Sequence, residues 1–344
     1  HEFGHVVLGR LAGVGVLELA LGLPFTKPLG SKKLKSGMKM SIYPLLFGGF
    51  VRLLGEEGQE EKSVAGKYFY QANVWARIAV VVAGVTMNFL LASVLFYSFL
   101  GLSGFKVLVP RLADYNFLSP SQSRVVVTFI QKDSPAMQAG LTEGDVVESA
   151  DGKVFEKLAD FQNYTKTKAG QKMVLRLTDV TLTNNKEVTV TPRKNPPAGQ
   201  GPLGLGIGEG IVITYSGGQK YLSGVSYAVD MLGYNLRVLG HLAVTAFNSR
   251  DVAPLSDNVS GPVGIATAVG TILDLGGNKA LVAMLNFVGL LSLSLAFMNI
   301  LPIPALDGGR LMFLLVEALF GRKMAAQKEN LINQIGMAGL LALI

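Results

Sequence analysis

The chain has 344 residues, of which 49% are hydrophobic and only 16% charged, whereas ordinary soluble domains carry roughly a quarter charged residues. That balance disfavours two soluble domains and favours one domain attached to a membrane bundle. The net charge of +7 comes without an aromatic-interleaved basic patch, which argues against nucleic acid as a partner and for a membrane surface. With no cysteine, disulfides and thiolate metal sites are excluded.

Residues 1 to 23 read as the tail of a membrane-spanning helix whose first part precedes His1, since the chain opens inside a motif and without Met. Lys27, Lys32, Lys33, Lys35 and Lys39 follow. Met38 to Leu54 is apolar but interrupted by Pro44, Gly48 and Gly49. It predicts two strands, Ile42 to Leu46 and Phe50 to Leu54, around a Gly-Gly turn, forming a re-entrant hairpin buried against protein. Val74 to Leu102 supplies the about 20 apolar residues that a spanning helix needs, with Trp75 and Arg77 at one interface and Tyr97 towards the other.

From about 105 to 279 the pattern is that of a folded domain. Arg124 to Gln131 predicts a strand and Ser134-Pro135-Ala136 a short helix ending at Gly140. Gly144-Asp145 and Asp151-Gly152 predict turns around Val146-Val147. Leu158 to Lys168 predicts a helix, and Met173 to Leu177 and Glu187 to Pro192 predict strands. Tyr221 to Phe247 has apolar residues at helical spacing, as in a helix lying along a membrane. Ala280 to Leu301 predicts another spanning helix, and residues 331 to 344 the start of a fourth that continues past Ile344. Arg322, Lys323 and Lys328 lie before that fourth span. Two basic loops separated by an even number of spans face one side, which the positive-inside rule makes the cytoplasm. The stretch 105 to 279 then lies outside.

The chemistry concentrates at the start. Two of the three histidines fall in His1-Glu2-Phe3-Gly4-His5. At positions i and i+4 on a helix, both imidazoles can reach one zinc ion, which in catalytic sites keeps a position for water. Glu2 stands where it can take a proton from that water. A third ligand is required. His241 falls in the exterior stretch and reads as an interfacial polar residue. Asp307, in Asn299-Ile-Leu-Pro302-Ile-Pro304-Ala-Leu-Asp307-Gly308-Gly309, follows a spanning helix near membrane depth, where a carboxylate is costly unless paired or metal-bound. Capping of the helix 308 to 320 is its alternative role. By the topology above, His1, His5 and Asp307 share the cytoplasmic side.

These residues give the chain its resemblance to the site-2 protease family of intramembrane zinc metalloproteases, of the bacterial regulator-of-sigma-E type. The match runs through HEFGH at 1 to 5, GGFVRL at 48 to 53, Gly84-Val-Thr-Met-Asn88, Ser260-Gly-Pro-Val-Gly264-Ile265 and the Asn299 to Gly309 run; Val85 stands where the family usually has Pro. The resemblance implies His1, His5 and Asp307 as zinc ligands and Glu2 as catalytic base. It implies that Asn88 and Asn299 bind substrate backbone or orient groups beside the active site, for which interhelical hydrogen bonds are the plain alternative, and it implies substrate contacts at Gly48, Gly49 and Phe50 of a membrane-associated β-element. Ser134 to Asp145, Asp151-Gly152 and Leu203-Gly-Leu-Gly-Ile207 resemble a circularly permuted PDZ domain, which implies peptide-tail binding or screening of substrates by size.

The expected fold is a polytopic α-helical membrane protein of about four spans with an inserted extracytoplasmic α+β PDZ domain. Its parts are an N-terminal membrane portion (1–104), the PDZ domain (105–213), membrane-surface amphipathic helices (214–279) and a C-terminal membrane portion (280–344). The implied function is zinc-dependent cleavage of transmembrane segments in a bacterial inner membrane, for example in anti-sigma factors or remnant signal peptides. The rivals are a membrane-anchored zincin acting on soluble peptides, and a PDZ-bearing scaffold or transporter without chemistry.

Overall fold

The computed structural model describes residues 1–55, 64–179, 182, 184–249, 261–321 and 331–336. The chain divides into two units, His1–Ala92 with Gly289–Ile344, and Ser93–Val288.

In the first unit the opening helix is short. Helix α1 spans Glu2–Leu11 and ends where Gly13 takes a positive φ of 74°. The chain then enters strand β1, Val16–Leu23. Reading residues 1 to 23 as one spanning tail is therefore wrong beyond Leu11. An apolar run can be a buried strand as well as a helix, and Glu18 inside it is matched across the sheet by Lys39 and Arg52. Strands β2 (Gly30–Lys33), β3 (Lys39–Ile42) and β4 (Leu45–Leu53) complete a sheet of order β2-β3-β1-β4. The expected hairpin is corrected too. β3 and β4 do not pair; β1 lies between them, parallel to β3 and antiparallel to β4. Gly48 and Gly49 sit inside β4, where the register slips between Leu21 and Leu23 and Gly48 adopts φ 88°. They make a bulge in one strand, and the turn falls instead at Tyr43-Pro44.

Glu18 is 5% exposed. Ser41 Oγ donates to its Oε1, and Lys39 and Arg52 approach to 3.9 Å. A buried carboxylate needs such partners, and here they come from the strands on both sides of β1.

Helix α2 runs over Val74–Leu102 as predicted, with Asn73 Oδ1 accepting from the Trp75 amide at its start. The core of this unit gathers Val6 of α1, Val16 and Leu53 of the sheet, and Val80 of α2.

The second unit carries a six-stranded antiparallel sheet. Its strands are β5 (Lys106–Pro110), β6 (Ser121–Ile130), β7 (Val146–Ala150), β8 (Met173–Thr178), β9 (Asn185–Val190) and β10 (Leu205–Thr214), in the order β5-β10-β6-β7-β8-β9. β5 pairs with Gly210–Thr214 only, so Leu205–Gly208 have a ladder partner on the β6 side alone. Helix α3 (Pro135–Gln138) has Ser134 as its N-cap, accepting from the Met137 amide, and α4 spans Leu158–Thr167. Val125, Phe161, Leu175 and Leu177 are fully buried between sheet and helices.

Helices α5 (Ser223–Ser249), α6 (Pro262–Asp274) and α7 (Gly277–Ile300) follow, and α8 (Asp307–Phe320) returns to the first unit. Among the described residues, α2 and α7 are the two helices long and apolar enough to cross a membrane. Residues 331–336 are helical, while 337–344, the loop cations 322–330 and Ser260 lie outside the described residues.

Asp151 ties the turn before α4 to the sheet. Its Oδ1 accepts from the Val174 amide at 2.8 Å, and Oδ2 meets Tyr164 Oη at 2.8 Å and Lys168 Nζ at 2.9 Å. The Val174 amide, then Lys168 and Tyr164, hold its carboxyl down to about 2, below an unfolded value of about 3.9. A depressed carboxylate contributes stability above the unfolded value and loses it as pH falls towards the folded one. Asp151→Asn is therefore expected to flatten the loss of thermal stability between about pH 4 and 2, read by circular dichroism of the full chain in detergent. Identical pH slopes for variant and wild type would remove Asp151 as a contributor.

Candidate metal centre and active site

His1 is the N-cap of α1 and His5 lies one turn on. Asp307 opens α8, where the helix dipole favours a carboxylate. The three meet: Nε2 of His1 lies 3.0 Å from Asp307 Oδ2, Nε2 of His5 lies 3.3 Å from the same oxygen, and the two Nε2 atoms are 3.3 Å apart. Two atoms bound tetrahedrally at about 2.0–2.1 Å from one zinc ion would be separated by roughly 3.3 Å. The triangle thus has the size that zinc requires. Oδ2 of Asp307 is shut off from solvent, and a buried carboxylate oxygen against two imidazole nitrogens fits an ion better than any apolar filling. Among the described residues, these are the ones whose carboxylate and imidazole atoms converge as a possible metal site.

The outer contacts fix the rings. His5 Nδ1 lies 2.8 Å from the Val80 carbonyl, so Nδ1 carries the proton and Nε2 is left as a lone-pair donor. His1 Nδ1 lies 3.4 Å from Asn88 Nδ2. Between these two positions on α2 is Gly84, where an added Cβ would stand 2.4 Å from His5 Nε2 and 2.7 Å from His1 Cε1. Only a residue without a side chain lets α2 approach both imidazoles.

Asp307 is positioned by its neighbours. Ala305 takes a positive φ of 75°, and its amide donates to Asn333 Oδ1 at 3.1 Å. Gly308 and Gly309 lie within the first turn of α8. A Cβ at Gly308 would come 2.0 Å from the Leu301 carbonyl oxygen, so close backbone contact accounts for it. Arg77 Nη2 donates to Glu317 Oε1, a buried pair that fastens α8 to α2.

A cavity of about 1020 Å³ opens over this centre. His1, Glu2 and Asp307 line it, with Gly48 and Gly49 of β4, Ala20 of β1, Asn88 of α2 and Asn299 of α7. Phe50 lines a separate space of about 150 Å³ behind Glu2 and His5. A Cβ on Gly49 would reach 3.4 Å from Glu2 Cγ, so β4 runs beside the glutamate. His241 is elsewhere, on α5 of the second unit. Sequence reasoning missed the Val80 carbonyl, the steric role of Gly84, buried Glu18 and the Arg77–Glu317 pair. Gly84 was visible within a quoted motif, but its reason needed the packing.

Peptidase family M50 matches residues 1–343. A protein of Mesorhizobium japonicum is 31% identical over 100% of this chain and 91% of its own length, and one of Rhizobium meliloti 29% over 100% and 90%. A third, from Clostridium acetobutylicum, is 29% identical over 100% and 90%. All three carry provisional zinc-metalloprotease names. The solved PDZ domain of an SdrC-like protein from Listeria monocytogenes is similar at 20% identity over 28% of this chain and 90% of that one, with a TM-score of 0.22. The protein is thus a metalloprotease, dependent on zinc. It belongs to peptidase family M50, the membrane-associated site-2 protease family.

Gly84→Ala drives a methyl group into both imidazoles. Zinc affinity is expected to fall at least tenfold, the lower end of what disturbed outer contacts cost, measured by chelator competition on the purified chain. Unchanged affinity would mean that α2 can withdraw from α1 without consequence.

Proposed function

We propose that this chain is an intramembrane endopeptidase that hydrolyses peptide bonds within or beside the transmembrane segments of membrane-anchored proteins. The observation that carries the reading is the shared wall of the active-site cavity. Asn88 lies near the midpoint of α2, about 20 Å from its start at about 1.5 Å per residue, and Leu295 and Asn299 of α7 line the same cavity. Both helices are of membrane length. A soluble-peptide zincin has no reason to open its site between two such helices, and a scaffold has no reason to bring His1, His5 and Asp307 together.

His1 Nε2, His5 Nε2 and Asp307 Oδ2 would hold zinc, which when bound supplies a Lewis acid that makes water nucleophilic near neutral pH. Glu2 takes the proton from the attacking water and returns it to the leaving amine. Asn299 at the cavity wall is a donor for the substrate backbone. A helical substrate hides its carbonyls in its own hydrogen bonds, so it must unwind locally before attack. The unwound segment would lie as a strand along β4, the end strand of its sheet, with Gly48 and Gly49 presenting backbone beside Glu2.

The basic run Lys27 to Lys39 favours the cytoplasmic side for the metal centre, and the six-stranded unit then lies outside. The PDZ resemblance of its sequence and the half-paired Leu205–Gly208 segment support a site for a peptide tail. Anti-sigma factors or remnant signal peptides in a bacterial inner membrane are the substrate class that the family suggests.

The test is cleavage of a model transmembrane substrate in proteoliposomes. Glu2→Gln is expected to lose about 10²–10⁴-fold in kcat with zinc retained, and undiminished cleavage would remove Glu2 as the base. Proline at successive positions from Gly48 to Val51 is expected to stop cleavage without releasing zinc. Activity surviving the whole series would reject strand addition at β4.

A further inference from the structure

Three positions on α2 spaced four apart, Val80, Gly84 and Asn88, lie on one helix face. The first offers its carbonyl to His5 Nδ1, the second clears room for both rings, and the third sets its carboxamide against His1 Nδ1. We propose that Asn88 is a positioning residue for His1, doing for that ring what the Val80 carbonyl does for His5, and is not a substrate contact. The inference rests on the reading of His1 as a zinc ligand.

The chemistry follows from the tautomer. With Nε2 of His1 turned to Asp307 and His5, the neutral imidazole carries its proton on Nδ1 and needs an acceptor there. The Asn88 carboxamide holds a nitrogen 3.4 Å from Nδ1. A half-turn about its Cβ–Cγ bond places Oδ1 at the same point, and Nδ1–H then donates to it. The residue is held in place for this task. It is 5% exposed, and its own backbone carbonyl accepts from Ser292 Oγ of α7 at 2.9 Å. A group meant for substrate has no need of that contact with a ligand's far nitrogen.

The experiment measures zinc affinity by chelator competition for wild type, Asn88→Ala and Asn88→Asp, alongside kcat and KM at saturating zinc. Loss of the acceptor in Asn88→Ala is expected to weaken zinc about 10–100-fold and leave KM unchanged. Asn88→Asp, which keeps shape and supplies a permanent acceptor, is expected to restore wild-type affinity. It should also shift the visible bands of the cobalt-loaded protein, because a stronger acceptor makes His1 a better donor. Wild-type affinity in both variants, together with a raised KM, would overturn the assignment in favour of substrate binding. If Asn88→Ala does not fold, affinity below wild type in a folded Asn88→Asp overturns it equally. Failure of the wild type itself to hold zinc would instead sink the metalloprotease reading of these ligands, which separates the two outcomes.

Discussion

The close approach of α1 to α2 is the constraint on which the centre depends. A Cβ at Gly4 would stand 2.4 Å from the Ala83 carbonyl oxygen, and one at Gly84 would collide with His5. Two helices in an apolar medium gain little from hydrophobic exclusion and associate through packing and hydrogen bonds. Small residues on both sides let the backbones come near enough for a carbonyl of α2 to reach an imidazole of α1. The same contact that packs the helices therefore orients the ligands. Any residue that separates them by an ångström also turns the rings.

The sheet solves a different problem. Peptide bonds in a lipid-facing helix are internally satisfied and shielded, so a protease working there has to offer the opened backbone a replacement. On the proposed reading an end strand beside Glu2 would do this, because a bulged Gly-Gly step exposes main chain without a side chain in the way. The sheet itself is firmly held. Glu18 provides the tie, buried and shared among Ser41, Lys39 and Arg52 on the strands to either side.

The sequence made some of this legible and hid the rest for identifiable reasons. The convergence of His1, His5 and Asp307 could be anticipated because metal chemistry demands particular residue types, and α2 because 29 residues of apolar helix admit few alternatives. The strand β1 was hidden: apart from Glu18, Val16 to Leu23 is apolar enough to pass for a helix, and only its pairing partners decide. The Gly48-Gly49 pair was read as a turn from local chemistry, whereas pairing with β1 on one side made it a bulge. The reason for Gly308 and Gly309 was equally hidden, since it is the carbonyls of Leu301 and Ile303 packed against them. A backbone carbonyl such as that of Val80 has no sequence signature at all.

On the proposed reading, a carboxylate as third ligand also has an electrostatic logic. Glu2 must be ionised to act as a base, and it lies in the same cavity as Asp307. Two carboxylates side by side in a weakly polar setting repel each other and are costly to desolvate. A dication held by His1, His5 and Asp307 would bring the formal charges of the ion and the two carboxylates to a sum of zero. A third histidine in place of Asp307 would leave the ion and Glu2 with a net positive charge. The arrangement links metal binding to folding: α1 brings the imidazoles and the base, α8 brings the carboxylate, and the buried Arg77–Glu317 pair carries α8 to α2. Three elements drawn from the two ends of the chain thus share one electrostatic account, which closes only when all of them are in place.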